Sequence, residues 1–321
     1  MPLDYEAKQW LDFLESLGGR PVHELTPEKN RAGARYLSKL AAKAAGSFTA
    51  GAGNVKTEDH LIPVTEGEIG VRIYTPAGVG PFPLFVYFHG GGWIMGDLDS
   101  VDAPLRVIAC LSSTIVISVA YRLAPEHKFP VALGDCYQAA IWAFDNASSL
   151  GADREKIAIG GDSAGGNLAA AVTLMAREQG APALRCQILL YPVVDLCGEH
   201  PSHSRFSNFF LSKEDMLYFK NHYLSKADDE NNCYASPLLA DDLSGLPPAL
   251  VVTSGYDPLH DEGEAYAARL KEAGAEVEYY CYEGMIHGFF TFGSMMKDPR
   301  AINSLIKKIS TKLRSTDLKG S

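Results

Sequence analysis

The chain's most chemically suggestive feature is a serine among glycines: Gly160-Gly161-Asp162-Ser163-Ala164-Gly165-Gly166 contains the pattern G-x-S-x-G. Lys156 to Ile159 before it is an apolar run, and Leu168 to Met175 after it is rich in alanine, which predicts strand, tight turn and helix with the serine in the turn. Glycines at 161 and 165 allow close strand–helix approach, and a hydroxyl held at the helix N-terminus stands among backbone N–H groups. A chance match among the 30 glycines would lack these flanks, and a phosphate-binding loop would need a lysine after its last glycine. A second glycine run, His89-Gly90-Gly91-Gly92-Trp93, follows the apolar segment Leu84 to Phe88. No side chain there shields the amides, so those of Gly90 and Gly91, with that of Ala164, are the expected donors to a carbonyl oxygen turning tetrahedral. His89 is expected only to brace the loop.

A serine hydroxyl is a poor nucleophile until a histidine takes its proton, and the histidine needs a carboxylate to hold its tautomer. The apolar run Ala249 to Thr253 ends in Ser254-Gly255-Tyr256-Asp257-Pro258, and Val277 to Tyr282 leads into Glu283-Gly284-Met285-Ile286-His287-Gly288. Each run would deliver one group at a strand's C-terminal end, giving the order Ser163, Asp257, His287. The rival acids, Asp261 and Glu262, are expected instead at the N-terminus of a helix from Glu262 to Ala273. Of the nine histidines, His60, His127, His200, His203, His222 and His260 fall in surface-like or polar insertion segments, and His23 lies near the N-terminus.

The elements that must position these groups follow from periodicity. Leu3, Ala7, Trp10, Leu14 and Leu17 form one helical stripe that stops at Gly18-Gly19, and Thr26-Pro27-Glu28 announces a second helix to about Ala45. Gly51-Ala52-Gly53 is expected to be a linker. Leu61 to Val64 and the alternating Ile69, Val71, Ile73 predict two antiparallel strands, after which short apolar runs alternate with helical stretches. Thr114 to Val119 and Gln187 to Leu190 are two more of these runs. Such alternation predicts an α/β chain with a mostly parallel, doubly wound central sheet covered on both faces. From Asp195 to about Asn232 the alternation breaks into an aromatic and polar segment, expected to be an inserted helical cap. Trp93, Phe206, Phe209, Phe210 and Phe219 are its candidate substrate-binding residues, with Trp10 and Leu14 completing a roof. Arg122 and Glu126 are expected to pair under the glycine loop, and Asp97 and Asp99 to cap a helix from Ser100 to Leu111.

Composition limits the partners. The 321 residues carry a net charge of −10 at pH 7, which repels phosphate backbones and anionic membrane surfaces. Neither a nucleic-acid nor a membrane partner is expected. The six cysteines show no CxxC and no close Cys/His pair, which points to buried free thiols and to no metal. Acids at the N-terminus, with no apolar run of about 18 residues, make a reduced cytoplasm the expected compartment. The terminal Gly320-Ser321 plays no part in the fold argument.

Taken together, His89-Gly90-Gly91-Gly92, Tyr121-Arg122-Leu123-Ala124-Pro125-Glu126, Gly161-Asp162-Ser163-Ala164-Gly165-Gly166, Asp257-Pro258-Leu259 and His287-Gly288-Phe289 resemble, in their order, the bacterial hormone-sensitive lipase family of carboxylesterases, family IV. The resemblance covers nearly the whole chain and shows no departure at the catalytic positions. It implies an α/β-hydrolase fold: residues 1–50 contributing N-terminal helices to the cap, 51–194 and 233–321 the catalytic domain, and 195–232 the cap insertion. It also implies a small-molecule ester substrate of short to medium acyl chain, and no cofactor. Lactone or amide hydrolysis, deacetylation and perhydrolysis use the same triad and stay open. So does a hydrolase-like ligand receptor, although plant gibberellin receptors resemble the family while lacking the histidine that His287 supplies here. The assembly state is left open, a homodimer included.

Overall fold

The computed structural model describes residues 2–296 and 299–315; Gly320-Ser321 lies outside them. Eight strands, β1 (Lys56–Val64), β2 (Gly67–Thr75), β3 (Phe82–Phe88), β4 (Ile115–Ala120), β5 (Ala152–Asp162), β6 (Cys186–Leu190), β7 (Ala249–Tyr256) and β8 (Val277–Ile286), form one sheet in the order β1-β2-β4-β3-β5-β6-β7-β8. β1 pairs with β2, and β2 with β4, in antiparallel fashion, while every pairing from β4 through β8 is parallel. All parallel strands therefore end on the same edge. Ser163, Asp257 and His287 directly follow the last residues of β5, β7 and β8, which places all three on that edge.

Helices cover both faces: α1 (Tyr5–Ser16), α2 (Pro27–Ala44), α3 (Gly46–Thr49), α4 (Asp102–Ser112), α5 (Val131–Asn146), α6 (Ala164–Glu178), α7 (Pro201–Arg205), α8 (Lys213–Tyr223), α9 (His260–Glu272), α10 (Phe289–Phe292) and α11 (Arg300–Arg314). Strand alternation splits the core in two. In β3, Leu84, Val86 and Phe88 face one cluster with residues of α5, α6 and α9, and Phe85 and Tyr87 face the other with residues of α4 and α11. Because both faces are buried, β6 is apolar almost throughout, whereas β2 buries only Ile69, Val71, Ile73 and its neighbour Tyr74.

Local details depart from the sequence expectations. The stretch 51–53, expected to be a linker, falls largely within a 3₁₀ turn, Ala50–Ala52, that follows α3. The helix expected from Ser100 begins with a separate 3₁₀ turn, Leu98–Val101, which Asp97 caps through Ser100 N. Asp99 caps nothing; its carboxylate meets Arg72 at 2.8 Å. Of the cysteines, Cys136 and Cys186 are buried and the other four half-buried, all as free thiols.

The N-terminal helices and the 195–232 segment are bonded to each other. Asp215 of α8 accepts from His23 N at 3.0 Å and faces His23 Nδ1 at 2.8 Å, while Tyr218 Oη donates to Leu25 O at 2.9 Å. α1 is also tied to the sheet side: Asp4 N donates to Gly284 O, and the buried Glu6 accepts from the first amides of α11, Arg300 N and Ala301 N. Burial raises the Glu6 carboxyl above its usual range, and the helix N-terminus partly offsets that cost. Among the described residues no helix is long and apolar enough to cross a membrane.

Candidate active site

Ser163 stands between β5 and α6 at φ 56°, ψ −118°, a region that costs a non-glycine residue of order 1–3 kcal/mol. The surroundings impose it: Ser163 N donates to Leu190 O at 2.9 Å, and Ser163 O accepts from Asn167 N at 3.0 Å. Gly161 and Gly165 are in mutual contact, and Gly165 lies on Phe88 O, so a methyl on either would overlap backbone. The strand and helix thus close to a distance only glycine permits, and the serine side chain is turned outward. From there Ser163 Oγ donates to His287 Nε2 at 2.9 Å, and His287 Nδ1 donates to Asp257 Oδ2 at 2.7 Å. Asp257 is fully buried and its other oxygen accepts from Leu259 N at 2.9 Å. An acceptor-only carboxylate fixes the proton on Nδ1 and leaves Nε2 basic toward the serine.

The glycine loop differs from expectation at one donor. Gly90 N donates to Asp162 Oδ1 at 2.9 Å, and Tyr87 Oη donates to the same oxygen at 2.7 Å. The Gly90 amide is thereby spent on holding the loop. Beyond it the chain turns through Gly91 (φ 119°), Gly92 (φ 58°) and Trp93 (φ 60°), and Gly91 O accepts from Ile94 N and Met95 N. The Gly91, Gly92 and Ala164 amides make no hydrogen bond to another described group, so the free donors are one residue later than the sequence reading placed them.

A model for α/β-hydrolase fold proteins matches residues 85–291, a span running from β3 through the glycine loop, the serine turn, Asp257 and His287. The chain belongs to the α/β-hydrolase fold family. Within it, the chain sits in the hormone-sensitive-lipase type, family IV. It is 45% identical over 243 residues to the carboxylic ester hydrolase LipN of Mycobacterium tuberculosis, a match covering 74% of this chain and 65% of LipN, just under two thirds of that relative. It is 39% identical over 291 residues to an arylesterase of Saccharolobus solfataricus, covering 90% and 92% of the two chains. A hyperthermophilic esterase from Pyrobaculum calidifontis superposes with a TM-score of 0.89 at 39% identity, covering 98% of this chain and all of that one.

Several residues of this α/β-hydrolase site escaped the sequence reading. Asp162, next to Ser163, is buried; burial pushes its carboxyl up, and the Tyr87 and Gly90 hydrogen bonds work against that. Its Oδ2 also accepts from Thr291 Oγ1 at 3.3 Å, so one carboxylate ties the glycine loop to the turn after His287. The signal was present in the acid before Ser163, but its partners lie 72 and 75 residues upstream. We expect Asp162→Ala to strand three donors and to cost about 1–3 kcal/mol per buried group, measured by urea unfolding. Tyr191 sets its ring edge-on to His287 with centroids 4.9 Å apart.

The expected ion pair under the glycine loop is not formed. Arg122 pairs with the buried Asp135, Nη2 to Oδ1 at 2.6 Å, and Glu126 pairs with Arg31 instead. Asp261 and Glu262 stand in the first turn of α9, as expected, but their carboxylates bond to other segments. Asp261 accepts from Ser202 N at 2.9 Å, and the buried Glu262 accepts from Val194 N and faces His203 Nε2 at 3.0 Å, so both acids fasten α7 to the catalytic side. Asp261 thereby pairs Ser202 N, one of the first amides of α7, which the helix itself leaves without an acceptor.

The aromatic candidates divide. Phe219 lies against Gly92, where a methyl would overlap its ring, and Phe210 approaches Gly288, beside His287. Trp10 stacks on Phe292 at 4.6 Å, and Phe210 meets Phe292 edge-on at 6.0 Å. Phe206 and Phe209 pack instead on Tyr256, and Trp93 is buried against Tyr223 at 4.1 Å, in core packing. Among the described residues no three His, Cys, Asp or Glu side chains converge as a metal site.

Proposed function

We propose that the chain is a serine carboxylesterase acting on esters of short to medium acyl chain. The observation that carries this reading is the unbroken path Ser163 Oγ to His287 Nε2 and His287 Nδ1 to Asp257, at 2.9 and 2.7 Å, on a serine held in a strained turn. The esterase names of its relatives support it. In this mechanism Ser163 Oγ attacks the ester carbonyl as His287 Nε2 takes its proton. The Gly91, Gly92 and Ala164 amides receive the oxyanion, each such donor being worth ~10²- to 10³-fold in rate. Collapse of the tetrahedral adduct passes the proton to the departing alkoxide and leaves the acyl group on Ser163. Water then attacks the acyl-enzyme with His287 as base, and the acid leaves. Asp257 holds His287 in the Nδ1–H tautomer and stabilises the imidazolium.

The cap proposed here comprises the N-terminal helices and residues 195–232, and its substrate-facing surface is narrowed to Phe219 on the glycine-loop side and Phe210 with Trp10 on the His287 side. The test is a p-nitrophenyl ester series from acetate to palmitate on purified protein, with and without a serine-reactive phosphonate. Phosphonate-sensitive turnover that peaks at short chains is expected. Absence of turnover on every ester would favour the receptor reading, and a peak at palmitate would remove the closed roof. Phe219→Ala should shift the optimum toward longer chains by opening the glycine-loop wall, and an unchanged chain-length profile would show that Phe219 does not line the acyl path.

A further inference from the structure

The outer end of the glycine loop is held by a residue from another part of the chain. Arg31, in α2, donates from Nε to Ile94 O at 2.7 Å and from Nη2 to Ala124 O at 2.8 Å. Its remaining edge grips Glu126 in a two-pronged pair, Nη1 to Oε1 at 2.8 Å and Nη2 to Oε2 at 2.6 Å. These acceptors are not scattered. Ile94 N closes the turn onto Gly91 O, and Ala124 N donates to Trp93 O at 2.9 Å, so the carbonyls gripped by Arg31 belong to the glycine loop itself and to the segment bonded to it just after Gly92. Beside this grip lies a cavity of about 290 Å³ lined by Arg31, Arg35, His89, Gly96, Tyr121 and Leu123 among others.

We propose that Arg31 is a positioning residue of the reaction: acting through Ile94 and Ala124, it sets where the Gly91 and Gly92 amides point. The role rests on the Ser163 esterase reading above. It makes the N-terminal helix α2 part of the machinery that receives the oxyanion and not merely a cover over the pocket. Glu126 serves it by holding the guanidinium plane. Arg31 in turn keeps the Glu126 carboxyl at about 2, so the pair stays charged through neutral and mildly acidic pH. A planar fork is needed, because three acceptors lie around one edge and end of the group, and an ammonium at the tip of a lysine could reach only some of them.

The experiment compares wild type with Arg31→Ala, Arg31→Lys, Glu126→Gln and the control Arg35→Ala, one turn along α2, whose exposed side chain lines the same cavity. Active sites are counted by phosphonate titration, then kcat and KM are measured on p-nitrophenyl acetate. Inhibition by a short alkyl trifluoromethyl ketone is measured too, since its adduct with Ser163 places an oxyanion on the same amides. Misplacing a reacting geometry by about 1 Å can cost ~10²-fold. The expected result is a kcat per titrated site lowered roughly 10- to 100-fold in Arg31→Ala, with KM within about twofold. The ketone should weaken in parallel. Arg31→Lys should stay impaired, which covers the case in which the alanine variant does not fold, Glu126→Gln should be milder, and Arg35→Ala should match wild type. A kcat within twofold of wild type in both Arg31 variants overturns the role, as does a fall in kcat with unchanged ketone affinity, or an equal loss in Arg35→Ala. Turnover retained by Ser163→Ala overturns the site reading and this role together; Ser163-dependent turnover that ignores Arg31 overturns this role alone.

Discussion

Ser163→Ala is expected to lower ester hydrolysis by ~10⁴-fold or more while the protein stays folded. The substitution removes one oxygen, and with it the proposed nucleophile and the 2.9 Å hydrogen bond to His287 Nε2. It keeps the Cβ, so the backbone strain at φ 56° is neither added to nor relieved. The lost hydrogen bond is worth about 1 kcal/mol, and in a domain of this size that is a few degrees of melting temperature at most. Activity and stability therefore separate by several orders of magnitude. Parallel measurement of p-nitrophenyl acetate turnover and thermal unfolding checks this, and turnover near wild type in a folded variant would end the serine mechanism.

The second large effect decides which acid serves His287. Asp257→Asn keeps the size of the side chain but can present an amide N–H to Nδ1, which pulls the imidazole into the wrong tautomer and aims an N–H at Ser163. That change can cost ~10⁴-fold in turnover. Asp261 is four residues further on and accepts from Ser202 N at 2.9 Å, away from the histidine. Asn at 261 still offers an oxygen to that amide, so Asp261→Asn should keep activity within a fewfold and lose about 1 kcal/mol. Steady-state kinetics on both, with urea unfolding, separates the two. The reverse pattern would move the acid's role to Asp261.

Much of this was legible without coordinates, and for a physical reason. Strand, tight turn and helix are specified by neighbours in the chain, so the run Lys156 to Met175 announces its serine turn, and the alternation of apolar runs with helical stretches announces the parallel sheet. Parallel strands end on one edge, which is why residues following separate strands meet: Asp257 and His287 are 30 residues apart in sequence and 2.7 Å apart in space. Apart from local details at 51–53 and at the start of α4, the readings that failed concern side-chain pairing between separate segments. Arg122 was matched to Glu126 because both lie in one short motif, yet it turns to Asp135, while Glu126 is taken by Arg31, 95 residues earlier. Asp261 and Glu262 stand in the first turn of α9 as their composition suggests, but their carboxylates are taken by contacts with α7.

The sequence by itself determined the fold family, the order of the chemical groups and the loops that present them, because these depend on local conformational preference and on burial of both sheet faces. Only the tertiary structure decided which amides are free. Gly90 and Gly91 are indistinguishable as glycines in a row, and what separates them is the buried Asp162 carboxylate, which lies within reach of one amide and not of the other. A carboxylate withdrawn from water must collect every donor close to it, so it takes Gly90 N and Tyr87 Oη. The Gly91 and Gly92 amides are left free for whatever oxygen enters the site.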